Sequence, residues 1–576
     1  MTDTAHANAT ADYDLVVIGS GAGGMAAALT AQIHGLSVVI LEKTDQVGGS
    51  TAVSGGAVWI PGNSLMASVG HSDSRDAVMS YLASALGNRL DPALIDAFLD
   101  HGPTMIDFFA EHTDVSFIPR ALSPDYQSDV QGASMGGRTI DPAPFDARSL
   151  GRNFEHLRKP LHVFMVLGGM MVGKKDIDTL LGAFKSPKKF LGSAGLVLRY
   201  LSDRLRFSRG TRLLLGNALA GRLYKSVLDR NIPVIRNADV RGLIREGDRI
   251  SGVEASVDGT HKTFTARRGV ILATGGFPGN DAMLAQYVPA PAEHRTMAPA
   301  SNTGDGIHLA LQAGGRIADG NIGSGLWTPV SRIRFDDGTE RKFPHLVLDR
   351  QKPGLIAVDG QGRRFVNEAC SYHEFVEAMH SDESRLPTYL ICDAVFLRKY
   401  GLGLVRPLYD RPDPFIKAGY LTRADSIADL AGQLGVDPDA LANSIASMNK
   451  AAETGVDDAF GKGSTAYNRY LGDPDHTPNP CLGQIVRAPF YAVKVWPGDI
   501  GTATGLRTDA QSRVLGENDQ PIAGLYACGN DMNSIMAGSY PAAGITLGPA
   551  LTFGYIAGLE LAGIDTNTQK NEEASQ

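Results

Sequence analysis

Short apolar runs that close on glycine recur along this chain and mark out its framework. The first, Leu15-Val16-Val17-Ile18, leads straight into Gly19-Ser20-Gly21-Ala22-Gly23-Gly24 and then into small apolar residues from Met25 to Gln32. A continuous β-branched run predicts a buried strand, and the small residues after the glycines predict a helix packed closely on it. A second run, Ser37 to Leu41, ends at Glu42 and predicts a neighbouring strand. Two distant segments repeat the theme: Arg268-Gly269-Val270-Ile271-Leu272-Ala273-Thr274-Gly275-Gly276 and Gly524-Leu525-Tyr526-Ala527-Cys528-Gly529-Asn530. Asn237 to Ile244 and Ile250 to Val253 predict a hairpin. Strand, glycine turn, helix and strand in that order predict an α/β fold with a parallel sheet.

The first glycines stand in dinucleotide order. Gly19 permits the tight turn, Gly21 lets the backbone approach a pyrophosphate at a helix N-terminus, and Gly24 allows close packing of helix on strand. Glu42, about 20 residues on, can accept hydrogen bonds from an adenosine ribose. NAD and FAD share this fingerprint. The run Gly48-Gly49-Ser50-Thr51-Ala52-Val53-Ser54-Gly55-Gly56 favours FAD, because small and hydroxyl residues suit a backbone wrapped around a ribityl chain and pyrophosphate. The expected fold is a Rossmann-like FAD-binding domain that the chain leaves and re-enters.

Gly538-Ser539-Tyr540-Pro541-Ala542-Ala543-Gly544 carries the candidate chemistry. A tyrosine hydroxyl and a glycine amide four residues later can together grip one carbonyl oxygen. Polarising a ketone in that way acidifies the hydrogens on the adjacent carbon.

With these motifs, the chain resembles the flavoprotein family of succinate dehydrogenase and fumarate reductase, and within it the 3-ketosteroid dehydrogenases. The resemblance runs from about Tyr13 to Gly558. It is carried by Gly55 to Pro61, Arg364 to Tyr372 and the Tyr540 segment through Ile556. The subtype that desaturates C1–C2 matches better than the C4–C5 subtype, which is expected to place a serine where Ala542 stands. The resemblance implies that Tyr540 and Gly544 hold the C3 ketone, that Tyr372 takes the C2 proton, and that Tyr126 hydrogen-bonds Tyr372. The C1 hydrogen is then expected to leave as hydride to FAD. It also implies a cofactor shell of Gly19, Gly21, Gly24, Glu42, Lys43, Gly49, Ser50, Thr51, Ser54, Gly55, Gly56, Val240, Ala273, Thr274, Gly275, Asp305, Gly529, Asn530 and Leu547. Ser50 falls where membrane-bound relatives carry a flavin-linking histidine, so FAD is expected to be non-covalent. The expected domains are FAD-binding, 13–332 and 493–564, with an inserted α+β catalytic (cap) domain, 333–492, and flexible tails, 1–12 and 565–576.

Other readings stay open: desaturation at C4–C5, a fumarate-reductase-like enone or ene reductase, and a flavin-binding sensor without turnover. A fumarate reductase needs an arginine acid, and the Tyr540 loop has no arginine. No motif marks the electron acceptor.

The 576 residues carry a formal charge of −8, which disfavours nucleic-acid partners. Cys370, Cys392, Cys481 and Cys528 form no C-x-x-C pair, so neither a metal site nor a disulfide framework is expected, and the start of the chain lacks an export signal. A cytoplasmic location is the expectation. One segment departs from the acidic balance: between Arg152 and Arg212, eleven basic residues from Arg158 to Arg209 face Glu155, Asp176, Asp178 and Asp203, interleaved with the apolar runs Val163 to Val172 and Leu196 to Leu201. Two readings fit it: a buried helix with a solvated cationic rim, and peripheral contact with the inner face of a membrane.

Overall fold

The computed structural model describes residues 10–183, 185–335 and 337–564. The framework is an eight-stranded sheet. Strand Thr10–Ile18 lies parallel between Val38–Leu41 and Thr260–Leu272. Val234–Ile235 extends the sheet beyond Val38–Leu41, and Pro521–Ala527 joins parallel to Thr260–Leu272. The expected hairpin forms from Ala238–Glu246 and Arg249–Val257, with Arg249–Val257 antiparallel to Thr260–Leu272. Residues 10 to 12, expected in a flexible tail, instead extend the first strand by pairing with Thr263 to Thr265. Residues 1–9 and 565–576, the rest of both expected tails, lie outside the described residues.

The helix Ala22–Ile33 is small because another helix rests on it. A Cβ on Gly554, in Leu547–Ala562, would lie 2.4 Å from the Gly23 carbonyl oxygen. The two ends of the chain meet there. The loop from Tyr540 to Thr546 leads directly into this second helix, so its position is tied to the dinucleotide turn.

A second, antiparallel sheet runs in the order Glu340–Pro344, Gly325–Arg334, Phe490–Thr502, Thr388–Asp393, Leu355–Val358, with Leu421–Ala424 on Phe490–Thr502. The expected boundaries at 332/333 and 492/493 fall inside two of its strands. Arg364 is committed to carboxylates. It forks onto Glu368 and Asp457, with Lys462 Nζ donating to the Leu355 carbonyl at 2.7 Å, all buried. This network holds the segment that delivers Tyr372.

The basic segment folds as a short hairpin, Met165–Val166 with Met170–Met171, followed by helices Lys174–Leu181 and Pro187–Arg204. The longer helix is not buried: Phe190, Leu191, Leu198, Leu201 and Leu205 are 52%, 70%, 66%, 55% and 85% exposed, which corrects the buried-helix reading. Among the described residues no helix is long and apolar enough to cross a membrane.

Candidate active site

One cavity gathers the expected residues from both ends of the chain. It is lined near one end by Glu42, Ala238 and Val240 and at the other by Tyr126, Tyr372, Tyr540 and Gly544. Every residue expected around FAD lines it except Gly24. A Cβ on Gly24 would lie 2.2 Å from the Gly19 carbonyl oxygen, so this glycine serves helix-to-strand packing alone.

The cofactor end fits an extended dinucleotide. Gly19 has φ of +107° and no room for a Cβ, which would sit 2.2 Å from the Ala273 carbonyl oxygen. A Cβ on Gly21, the N-cap of Ala22–Ile33, would meet only Thr51 Oγ1 at 3.9 Å, so the helix N-terminus faces open space where a phosphate group can approach. The buried Glu42 carboxylate is aimed by four bonds: Ser20 N at 3.2 Å, Ser20 Oγ at 2.5 Å, Thr44 N at 3.0 Å and Thr44 Oγ1 at 2.9 Å. Lys43 Nζ bonds Thr303 Oγ1 and Asp305, each at 2.8 Å, and Asn302 Nδ2 donates to Ser50 Oγ at 2.9 Å. These contacts bring the 302–306 loop onto the glycine-rich wall.

Asp531 was not foreseen. It accepts from Thr274 N at 2.5 Å, Thr274 Oγ1 at 2.9 Å and Gly276 N at 2.9 Å, fastening the Ala273 turn to the returning chain. Burial pushes its carboxyl up. A lone aspartate in a loop gives no signal in sequence, because its three partners are more than 250 residues away.

At the other end three phenols converge. Tyr126 OH donates to Tyr372 OH at 2.9 Å. The Tyr540 ring centroid lies 5.1 Å from that of Tyr372 and 5.7 Å from that of Tyr126. Tyr372 is the first residue of helix Tyr372–His380, whose start is set by a capping box: Ser371 Oγ accepts from Glu374 N and Glu374 Oε2 accepts from Ser371 N, both at 3.1 Å. The spacing Ser371 to Glu374 is a sequence signal for this helix start.

The Tyr540 loop is clamped from beneath. Tyr126 N donates to the Pro541 carbonyl at 2.8 Å, Tyr81 OH reaches the same oxygen at 2.5 Å, and Thr139 Oγ1 holds the Ala543 carbonyl at 3.0 Å. Gly544 has φ of +103°, and a Cβ there would meet Trp59 N at 2.6 Å. Its carbonyl takes the Trp59 amide at 3.1 Å, while its own amide donates to no acceptor among the described residues. Trp59 Nε1 in turn donates to Asp125 Oδ1 at 3.1 Å, and Arg138 bridges Asp125 at 2.7 Å and Asp73 at 2.7 and 2.8 Å. Burial still pushes the Asp125 carboxyl up to about 6.

Burial, with the neighbouring phenols, drives Tyr372 and Tyr126 well above the ordinary phenol range, and burial by itself raises Tyr540. The Tyr126–Tyr372 hydrogen bond pulls Tyr126 back down. A fourth phenol, Tyr467, lies tilted against Tyr126 with ring centroids 4.6 Å apart and its buried hydroxyl unpaired among the described residues. Arg120 also lines the cavity, but its guanidinium is forked onto Asp141 at 2.8 and 2.6 Å.

Residues 14–547 match the family model described as FAD binding domain. The chain is 39% identical over 568 residues to 4-oxocyclohex-2-ene-1-carboxylate 5-dehydrogenase of Sinomonas cyclohexanicum, covering 98% of this chain and 96% of that one. It is 35% identical to 3-oxosteroid 1-dehydrogenase of Mycolicibacterium smegmatis, covering 97% and 99%. Among solved structures, 3-ketosteroid delta1-dehydrogenase from Sterolibacterium denitrificans, in complex with 1,4-androstadiene-3,17-dione, superposes with a TM-score of 0.89 at 38% identity, covering 96% of this chain and all of that one.

Proposed function

The chain belongs to the FAD binding domain family, and on that premise we propose that it is an FAD-dependent 3-oxosteroid 1-dehydrogenase, introducing a C1–C2 double bond beside the C3 ketone. The observation that carries this reading is the meeting of Tyr126, Tyr372 and Tyr540 beside the undonated Gly544 amide, at the end of the cavity away from Glu42. Bound FAD supplies the two-electron sink.

The residues divide the remaining work. Tyr540 OH and Gly544 N are two donors held on one rigid loop, placed to grip a ketone oxygen as it gains negative charge. That charge builds when the neighbouring C–H proton leaves, and Tyr372 is the oxygen placed to take it. Tyr126 then donates to Tyr372 and steadies its ionised form. The surrounding aromatic rings exclude water, which strengthens each of these bonds.

The 39% identity to a ring-keto-acid dehydrogenase favours a second substrate class, a small cyclic ketone bearing a carboxylate. The chemistry beside the ketone is the same. The steroid is preferred because Arg120, the cation that lines the cavity beside the phenols, is already neutralised by Asp141. Anaerobic mixing of the yellow protein with 4-androstene-3,17-dione tests this. Bleaching of the flavin with a new C1–C2 double bond in the product supports the proposal. Bleaching by 4-oxocyclohexanecarboxylate alone transfers the reading to the keto acid, and steroid binding without bleaching turns it toward a sensor.

FAD is held without a covalent bond in this proposal, with Ser50 at the wall of the cavity. Apoprotein prepared by acid release is expected to rebind FAD. Glu42→Ala is expected to weaken that binding about 10–100-fold, as loss of hydrogen bonds to a charged group would. Unchanged affinity by fluorescence titration would remove the ribose contact. The free thiols of Cys370, Cys392, Cys481 and Cys528 suit a reducing cytoplasm.

A further inference from the structure

We infer that Arg350 is a positioning residue for the phenol cluster, a buried cation that fixes the start of helix Tyr372–His380 and favours negative charge on the phenols beside it. The inference rests on the dehydrogenase reading, in which Tyr372 takes a proton. Arg350 is fully buried, and all three guanidinium nitrogens donate to backbone carbonyls. Nε reaches His345 at 2.7 Å, one terminal nitrogen reaches Glu368 at 2.9 Å, and the other reaches Leu346 at 3.3 Å. Both terminal nitrogens close on the Cys370 carbonyl, at 3.4 and 3.3 Å, two residues before Tyr372. The guanidinium also covers the Phe375 ring at 4.8 Å, one turn after Tyr372 on the same side of the helix. It brackets the first helical turn.

No anion answers this cation. Arg138 and Arg364 each meet two buried carboxylates, whereas Arg350 forms no ion pair among the described residues. Asp349, next to it in the chain, is paired with His345, and the Glu368 carboxylate is paired with Arg364. Carbonyl dipoles solvate the guanidinium but leave its charge uncancelled, and a charge in a low-dielectric interior acts strongly on its neighbours. Burial raises the Tyr467 phenol, and the Arg350 charge opposes that rise. Tyr467 lies against Tyr126, whose hydroxyl donates to Tyr372 at 2.9 Å. The cation therefore borders the cluster in which Tyr372 must ionise to act as a base.

The other ionisable groups around the cluster leave that charge standing. From the Tyr372 segment come Cys370 and Glu374, and burial pushes up both the thiol and the carboxyl, which favours their neutral forms. His373 lies against the Tyr540 ring with Glu377 beside it. On the Tyr126 side, Arg120 is paired with Asp141 and Asp125 with Arg138.

Anaerobic flavin bleaching by 4-androstene-3,17-dione, followed from acid to alkaline pH in two variants of the FAD-loaded protein, tests the inference. Flavin absorbance and melting temperature report folding. Arg350→Gln keeps two N–H donors for the same carbonyls and drops the charge. It is expected to bleach at least about tenfold more slowly at neutral pH, with the alkaline climb of a phenol base displaced upward by about one pH unit and the steroid dissociation constant within about threefold. Arg350→Lys keeps a charge that can titrate. Its climb is expected to begin where that of the wild type does and then turn down as the buried amine loses its proton, which a guanidinium does not do. If Arg350→Gln does not fold, the downturn in Arg350→Lys still decides. Profiles parallel to the wild type in both variants, at whatever rate, would overturn the inference, and so would loss of the fold in both, because Arg350 would then be a brace alone. The wild type separates the two failures. No bleaching by the steroid or by 4-oxocyclohexanecarboxylate removes the dehydrogenase reading and this inference with it, whereas wild-type bleaching with parallel profiles removes the inference alone.

Discussion

Tyr372→Phe is expected to lower kcat by about 10²–10⁴-fold, the range for removing a positioned general base, with FAD binding and melting temperature preserved. The ring stays and only an oxygen leaves, so the packing against Tyr126 and Tyr540 survives. Tyr540→Phe removes an oxyanion donor and is expected to cost about 10²–10³-fold. The wild-type pH profile gives an independent readout. Burial raises the Tyr372 phenol well above its ordinary value, so the ionised fraction at neutral pH is small and grows tenfold per pH unit. Activity is expected to climb toward alkaline pH. A flat profile, or a Tyr372→Phe enzyme that still bleaches its flavin at the wild-type rate, would remove Tyr372 as the base.

Arg138→Met is expected to be the most destabilising single change, by about 3–5 kcal/mol, because it strands two buried carboxylates, Asp73 and Asp125. Asp125 is already held up at about 6 by burial, and losing its cation drives it higher. The sign of the pH effect follows. A carboxyl whose folded value lies above its unfolded one contributes stability while protonated and loses it as pH rises through the folded value. The melting-temperature deficit of Arg138→Met is therefore expected to be larger at about pH 8 than at about pH 5. Adding Asp125→Asn is expected to recover part of it. An equal deficit at both pH values would mean that Asp125 is not the group left uncompensated. Because Asp125 also holds Trp59, which bonds the Gly544 carbonyl, the same variant is expected to lose activity before it unfolds.

The two halves of the site differed in how far sequence could reach them. Around the cofactor, strand, glycine turn, helix and acid follow one another within about thirty residues, and each element imposes its own local conformation, so Gly19, Gly21 and Glu42 were readable as a unit. Gly24 was readable as packing glycine but not as one that stays off the cavity, since that depends on which side of the helix the ligand takes. Tyr126, Tyr372 and Tyr540 were singled out through resemblance to a family. Their 2.9 Å contact and stacked rings join residues 246 and 414 apart, a separation that no local pattern encodes.

The clamps are of the same kind. Asp531 on Thr274, Arg138 between Asp73 and Asp125, and Arg120 forked onto Asp141 are ordinary charged residues in loops and short strands, and their meaning appears only when distant segments close on one another. The outward stripe of Pro187–Arg204 lies between these cases: apolar runs interleaved with basic residues pointed to a helix with a cationic rim, but which side would be covered depended on the neighbours. Local chemistry thus specified the strands, the turns and the nucleotide fingerprint, because backbone geometry and side-chain alternation act over a few residues. Burial, pairing and the aim of each phenol were set by long-range packing, because desolvation and hydrogen bonding depend on what the rest of the chain brings alongside.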